Sequence, residues 1–471
     1  MRIEIIVVVL YFIGMLLIGF LYRAKAKGSA EGYFVANREI GPFVGALAMA
    51  SAYMSANAFM GIAGMGYKFG LPFVFTVIGM CGIGFIVAEA MVATPLARRA
   101  KDFSLSDYLS ERYGSRLISW LVPIITIILM TTYIIPQLKA SALILNKLVS
   151  IPYVWGVLIT GAIYVLYVSM GGMWAVTITD VAQALIMAGA MIILGCYTFF
   201  VLNSPGEMIS LAMANNPKLG GLGLPKLSYV GAGFLWFFGV VGLPHLIMRV
   251  FTAKGERVAR RTLLYAVIYF DLFYLLGVSL VTIVGSALFP KLADPDNCTL
   301  YVATLMSPFF QGLICAGLLA AVMSTTDALL ITTSAAVSHD IYQKLINPGT
   351  SQERVVLIGN IAVWAVGIAG VIGALKPPAL INIIVAATIG TAASSFAMPL
   401  ILGIYWKGAT KLAGEVGILG GFIVSFGLYL GKVVPPMSEA IFGISASGLV
   451  MIVISLIQRK HDGLVWQRQD R

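Results

Sequence analysis

The sequence predicts an all-α polytopic membrane protein, and three observations predict it. Of its 471 residues, 59% are hydrophobic and 11% charged, with a mean hydropathy of +0.94. Soluble domains stand nearer ~45–50% apolar and ~25% charged. Apolar runs long enough to cross a bilayer, roughly 20 residues as a helix, recur along the chain. The polar stretches between them are mostly short. This pattern excludes a soluble enzyme, a nucleic-acid-binding protein and a disordered scaffold.

Taken in order, the apolar runs give thirteen candidate helices. The first, 3–22, is too long for a cleaved leader and has no small-residue cleavage site, so it reads as a signal anchor. The second, 41–67, is rich in Gly, Ala and Ser around Ala50 to Gly66 and has no bulky aliphatic stripe. Runs 71–96, 117–146, 152–170 and 176–202 follow. The seventh, 228–250, carries Gly239, Gly242, Pro244 and His245 in its middle. The remaining six are 263–289, 301–337, 355–375, 379–404, 412–434 and 440–458.

The net charge of +11 is distributed as loops at one membrane face rather than as a nucleic-acid surface. Segments after odd-numbered helices, including Arg23/Lys25/Lys27, Arg98/Arg99/Lys101, Lys254/Arg257/Arg260/Arg261 and Arg459/Lys460, hold 21 of the 31 basic residues; the other side holds eight. The excess marks the cytoplasmic side, with the N-terminus outside and the C-terminus inside. Cys81, Cys196, Cys298 and Cys315 are scattered, without metal-ligand or disulfide spacing. No transition-metal site, cofactor or obligate protein partner is expected.

Ten of the helices divide into two groups of five, 41–202 and 228–404. Five is odd, so the second group is inverted relative to the first. Run 3–22 and the pair in 412–458 are then peripheral. Both groups open with an interruptible helix. Glycine permits unwinding, and proline removes a backbone donor. Transporters place substrate where such broken helices meet. Close packing by small residues and a simple proline kink are the alternative.

The segment Gly312 to Tyr342, with Ser324-Thr325-Thr-Asp327, resembles the signature of the sodium/solute symporter family, as does Tyr167-Val-Ser-Met-Gly171-Gly172-Met-Trp. The resemblance runs from about Gly32 to Trp406. It implies two inverted five-helix repeats of the leucine-transporter type, with Na+ as coupling ion and a small-molecule substrate. It also implies a sodium site from the backbone carbonyls of Ser51, Met54 and Ala321 and the hydroxyls of Ser324 and Thr325. Uncharged oxygens suit a hard cation. Hydroxyls of this kind otherwise bond carbonyls one turn back.

Acids inside spans are costly, roughly 2.5–3.5 kcal/mol each on insertion scales. Asp180 reads either as a helix cap opening the sixth span or, by resemblance, as part of a second cation site or inward ion path. Asp327, three residues after Ser324 and about one turn further toward the cytoplasm, reads as a guide for outgoing sodium or as a partner for a Lys or Arg at an inner gate. Asp271 reads as a cation ligand or as a partner for Lys139 or His245, and Glu89 as a partner for Arg98 or Arg99. His245 either titrates or bonds freed carbonyls.

Candidate substrate contacts are Ser55, Asn57, Phe59, Thr76, Tyr133, Gln137, Trp236 and Gly239. The stretches that carry them, Asn57-Ala-Phe59, Phe73-Val-Phe-Thr-Val77 and Trp236-Phe-Phe238, are mostly apolar and aromatic, and the polar contacts Ser55, Asn57, Thr76, Tyr133 and Gln137 fall short of the hydrogen-bond inventory of a hexose site. The wording Gly242-Leu-Pro-His-Leu-Ile-Met-Arg249, Ser338-His-Asp-Ile-Tyr342 and Lys376-Pro-Pro resembles the pantothenate and acetate/pyruvate carriers of the family. Tyr53 stands where its proline carriers have an aspartate. The expectation is a Na+-coupled monocarboxylate importer in the plasma membrane. The alternatives are an amino-acid or sugar symporter, a proton-coupled carrier, or a membrane sensor or channel.

Overall fold

The computed structural model describes residues 3–22, 29–99, 102–377 and 380–469. Arg2, Arg23, Lys25, Lys27 and Lys101 of the charge pattern lie outside the described residues. Among the described residues the fold is wholly helical, apart from one backbone bridge between Ile40 and Ala253.

Eleven helices are long and apolar enough to cross a membrane, and a twelfth span is a broken pair. In chain order the helices used below are α1 (Ile3–Tyr22), the broken pair α2 (Pro42–Tyr53) and α3 (Asn57–Phe69), and α4 (Leu71–Ala97). A short amphipathic helix, α5 (Leu105–Tyr113), precedes α6 (Arg116–Val149). Next come α7 (Tyr153–Ser169) and α8 (Gly171–Phe200). The second interrupted span is α9 (Lys226–Gly242) with α10 (Pro244–Phe251). It is followed by α11 (Glu256–Leu288), the short α12 (Cys298–Ala303) and α13 (Pro308–Ile346). The chain ends with α14 (Gln352–Ala374), α15 (Ile381–Tyr405), α16 (Lys411–Gly431) and α17 (Glu439–Gln469).

Among the described residues the expected apolar runs fall mainly on helix, residue 379 lying outside them, and three boundaries move with consequences. Helix α8 starts at Gly171 rather than 176, because Gly172 takes a left-handed φ of 54° at the kink from α7. Helix α11 starts seven residues before the expected 263, so Arg257, Arg260 and Arg261 are helical. The ninth run splits at residues 304–307, leaving α12 as a separate turn before α13. Helix α7, at 17 residues, is shorter than the other spans.

Both interruptions are present. Between α2 and α3 the axis bends by 60°. Met54 leaves helical geometry at ψ 72°, Ser55 N–H bonds the Tyr53 carbonyl at 2.9 Å, and α3 opens as a widened π turn. The run Ala50-Ser-Ala has too little side-chain bulk to fill the space, so α13 approaches its backbone directly. The second break is gentler: Leu243 is extended (φ −81°, ψ 118°), and Pro244 opens α10, where its missing N–H costs nothing. The bridge from Ile40 to Ala253 ties the chain just before α2 to the end of α10, linking the two broken spans at one side of the bundle.

Helix α13 runs through the centre, buried along its middle and exposed only toward its ends at residues such as Phe309 and Ile346, while α1, α16 and α17 are among the least buried spans. On the far side from the Ile40 bridge, residues 295–297 lie on α3, where Gly64 gives them room. A Cβ added at Gly64 would stand 2.6 Å from the Pro295 carbonyl oxygen. Gly64→Val is therefore expected to lift this segment and destabilise the fold by ~1–3 kcal/mol of overpacking. The check is the melting temperature of the purified variant in detergent. A wild-type melting temperature would show that the segment need not seat.

Candidate functional site

The first cluster lies where α2 ends against α13. The Ser324 hydroxyl donates to the Ser51 carbonyl at 2.9 Å and to the Ala321 carbonyl at 3.2 Å. The Thr325 hydroxyl donates to the Ala52 carbonyl at 2.9 Å. All five residues are buried. Thr325 thus crosses to the neighbouring helix, and Ser324 both crosses and bonds back one turn. The Ala52 carbonyl was not among the sequence candidates, and nothing in an alanine side chain could have flagged it. Met54 sits at the break itself, its N–H on the Ala50 carbonyl at 2.8 Å. Two hydroxyls and three carbonyls with no fixed charge form a donor set that fits Na+ as cargo.

The second cluster lies beyond the break. Ser55 Oγ accepts from the Asn57 N–H at 3.1 Å and from the Tyr133 hydroxyl at 3.4 Å. Gln137 Oε1 accepts from the Ala56 N–H at 3.1 Å. The Tyr133 and His245 rings lie 6.1 Å apart, and Trp236 meets the edge of Tyr53 at 6.4 Å. Gln137 Nε2, Trp236 Nε1 and both His245 nitrogens are buried without a protein hydrogen-bond partner among the described residues. An orphaned buried donor is costly, so such a concentration of them marks a place where a polar molecule belongs.

The other candidates are used differently. Asn57 Oδ1 accepts from Asn382 Nδ2 at 2.9 Å, bringing α15 to the break; Asn382 was missed, though an asparagine in an apolar run was its signal. Phe59 packs on Phe273 at 4.6 Å, and its carbonyl accepts from Thr299 before α13. Gly239 is a packing position, since a Cβ there would stand 2.5 Å from Ile389. Thr76 is not part of the cluster. Its hydroxyl bonds the Pro72 carbonyl at 2.8 Å, and it lines an apolar groove with Met80, Val230 and Phe234. The turn of α4 carries it to the outer surface of the bundle.

The intramembrane charges pair differently from expectation. Asp180 is the tenth residue of α8 rather than its cap, and is fully buried against Arg249 of α10 at 2.5 Å. Asp327 is buried within electrostatic reach of both, and neither of its oxygens has a hydrogen-bond partner among the described residues. Lys139 pairs with Asp296 at 2.8 Å, not with Asp271, whose carboxylate lies over Gly82. Glu89 pairs with Arg260 at 2.5 Å, leaving Arg98 to Glu256 and Arg99 to Asp102 and Glu111. The earlier start of α11 is what brings Arg260 and Glu256 within reach.

A third cluster closes the Ile40 side and was not expected as a site element. Asp107 of α5 accepts from Lys344 at 2.5 Å and the Phe103 N–H at 2.6 Å, with His339 Nε2 at 3.2 Å. Ser104, which caps α5, donates to Asp340 at 2.8 Å. Burial by itself would raise the Asp107 carboxyl; the His339 hydrogen bond and the charges of His339 and Lys344 outweigh it and hold it below the usual carboxylate range. This contribution is present above the ordinary carboxylate pKa and is lost as pH falls through the depressed value. Asp107→Asn is expected to cost about 3 kcal/mol at pH 7 and to flatten the stability loss below about pH 4. Thermal unfolding across pH checks both, and an unchanged acid limb would remove Asp107 as its cause.

An uncharged oxygen cluster beside a buried helix break, at the centre of a many-span bundle, is the arrangement of a secondary transporter rather than of an enzyme. Over residues 33–423 the chain matches the sodium:solute symporter family, and it belongs to that family. Membership supports Na+ as its coupling ion. It is similar to the sodium/proline symporters of Staphylococcus aureus strains JH9 and JH1, each 29% identical over 98% of this chain and 94% of the relative. Among solved structures, a Na+-coupled sialic acid symporter in a substrate-bound outward-open state shares the fold at a TM-score of 0.80, with 20% identity over 97% of this chain and 98% of that one. A manganese transporter of Eremococcus coleocola follows it at a TM-score of 0.55, with 19% identity over 93% and 95%.

Proposed function

We propose that this protein imports a small organic monocarboxylate with Na+ across the plasma membrane, the solute being of the pantothenate or acetate/pyruvate class. The observation that carries the reading is the second cluster. Its orphaned groups, Gln137 Nε2, Trp236 Nε1 and the His245 ring, are uncharged, and Tyr53 stands beside them instead of an acid. Such a site offers donors to a carboxylate and no counter-ion to an ammonium group. A proline-like amino acid is the second reading, favoured by the names of the curated relatives.

Sodium would sit between α2 and α13 on the oxygens of Ser51, Met54, Ala321, Ser324 and Thr325, with Ala52 added. It replaces two hydrogen bonds that otherwise hold these helices together, and so favours the conformation that accepts solute. By linkage the solute then strengthens sodium binding. A 100 mV potential supplies about 2.3 kcal/mol for each sodium moved. Release would run past Asp327 toward Asp180, where the Arg249 guanidinium already supplies a cation. The reading places α7 as a thirteenth span, the N-terminus outside, and inverted repeats at 41–202 and 228–404.

The test is uptake of labelled acetate, pyruvate, pantothenate and proline into proteoliposomes, under Na+, K+ or pH gradients. Sodium-driven uptake of one monocarboxylate supports the proposal. Sodium-driven uptake of proline alone overturns the substrate class, and uptake driven only by a pH gradient overturns the coupling.

A further inference from the structure

At the membrane surface on the Ile40 side, the end of α4 and the first turns of α11 enclose a cleft of about 620 Å³ lined by Arg98, Arg257, Arg260 and Arg261. Two of these arginines are neutralised: Arg98 by Glu256 at 2.9 Å and Arg260 by Glu89 at 2.5 Å. Arg257 and Arg261 are exposed and have no carboxylate partner among the described residues, so the cleft keeps two positive charges. They are one helical turn apart on the same face. The positive end of α11 adds to their field.

The second observation is what lies beneath them. Continuing at helical spacing from Arg257 and Arg261, the same face of α11 presents Leu264, Ile268, Leu272 and Leu275, which are 44%, 61%, 50% and 53% exposed. This stripe faces the membrane and descends directly from the arginine pair. We propose that the cleft binds an anionic phospholipid, with its phosphodiester on Arg257 and Arg261 and an acyl chain along Leu264, Ile268 and Leu272. A free phosphate shares the headgroup chemistry but has no use for the stripe. The proposal is independent of which solute the protein carries.

The test is native mass spectrometry of the full-length protein in detergent, titrated with dioleoylphosphatidylglycerol, dioleoylphosphatidylcholine or inorganic phosphate. Wild type is expected to retain phosphatidylglycerol and not phosphatidylcholine, with millimolar phosphate failing to displace it. Arg257→Gln/Arg261→Gln should weaken retention about 30-fold, on the scale of two basic residues at a lipid surface. Ile268→Ser should weaken it too, which a soluble anion's site would not show. The Arg98 and Arg260 pairs stay intact, and melting temperature confirms folding; if the double variant does not fold, Arg257→Gln alone should weaken retention about fivefold. Equal retention by variant and wild type, or displacement by phosphate, overturns the proposal.

Discussion

Replacing Ser324 and Thr325 together by alanine is expected to abolish sodium-driven uptake while the chain still folds and inserts. Their hydroxyls are the only side-chain oxygens of the five-oxygen cluster, and each bonds an α2 carbonyl at 2.9 Å. Both residues are fully buried, so water cannot reach in and take the place of a lost oxygen without enlarging the pocket. Loss of a single outer-shell partner already weakens metal sites on the order of 10–100-fold. Removal of two direct oxygens should exceed that. The single Ser324→Ala variant should be the graded case, with half-maximal uptake moved to at least tenfold higher sodium and the maximal rate partly recovered. Uptake measured against external Na+ checks both variants. A sodium dependence that the double variant leaves unchanged would move the coupling site elsewhere.

Arg249→Gln is expected to be the most destabilising single change in the bundle, by roughly 3–5 kcal/mol, because it leaves a buried carboxylate without its counter-charge. The Asp180–Arg249 pair is 0% and 4% exposed at its side chains, and Asp327 stands within electrostatic reach without a hydrogen-bond partner of its own among the described residues. Two acids would then share an apolar interior with no cation. Asp180→Asn/Arg249→Gln removes both charges of the pair, and should recover most of the loss, since a buried pair replaced as a unit is often nearly neutral. The measurement is thermal unfolding of the purified single and double variants in the same detergent. If Arg249→Gln melts with the wild type, the pair does not hold α10 to α8.

These two predictions sit at opposite ends of what the sequence disclosed. Ser324 and Thr325 were named from a motif, and Ser51, Ala321 and Ser324 do meet at one point. The Asp180–Arg249 pair was not foreseen. The sixth span looked as if it began at 176, which made Asp180 a cap; hydropathy cannot see that Gly172 bends the chain and lets α8 begin at Gly171. Likewise Thr76 seemed equivalent to Ser55 and Asn57 as a polar residue near a break. One turn of α4 decides whether such a residue faces the cluster or the lipid, and in this fold it faces the lipid.

By itself the sequence determined what is local or additive along the chain. Bilayer-length apolar runs set the spans, glycine and Pro244 set the two interruptions, and the signature around Ser324 set the family. Each of these follows from transfer energy or backbone freedom over a few neighbouring residues. The tertiary structure alone decided which distant groups share a partner: Lys139 with Asp296, Arg260 with Glu89, Asn382 with Asn57, Lys344 with Asp107. Those pairings join residues 157, 171, 325 and 237 positions apart. They depend on how each helix is rotated and how far it slides when the bundle packs. Apolar periodicity fixes neither, because lipid and protein interior are alike to a leucine.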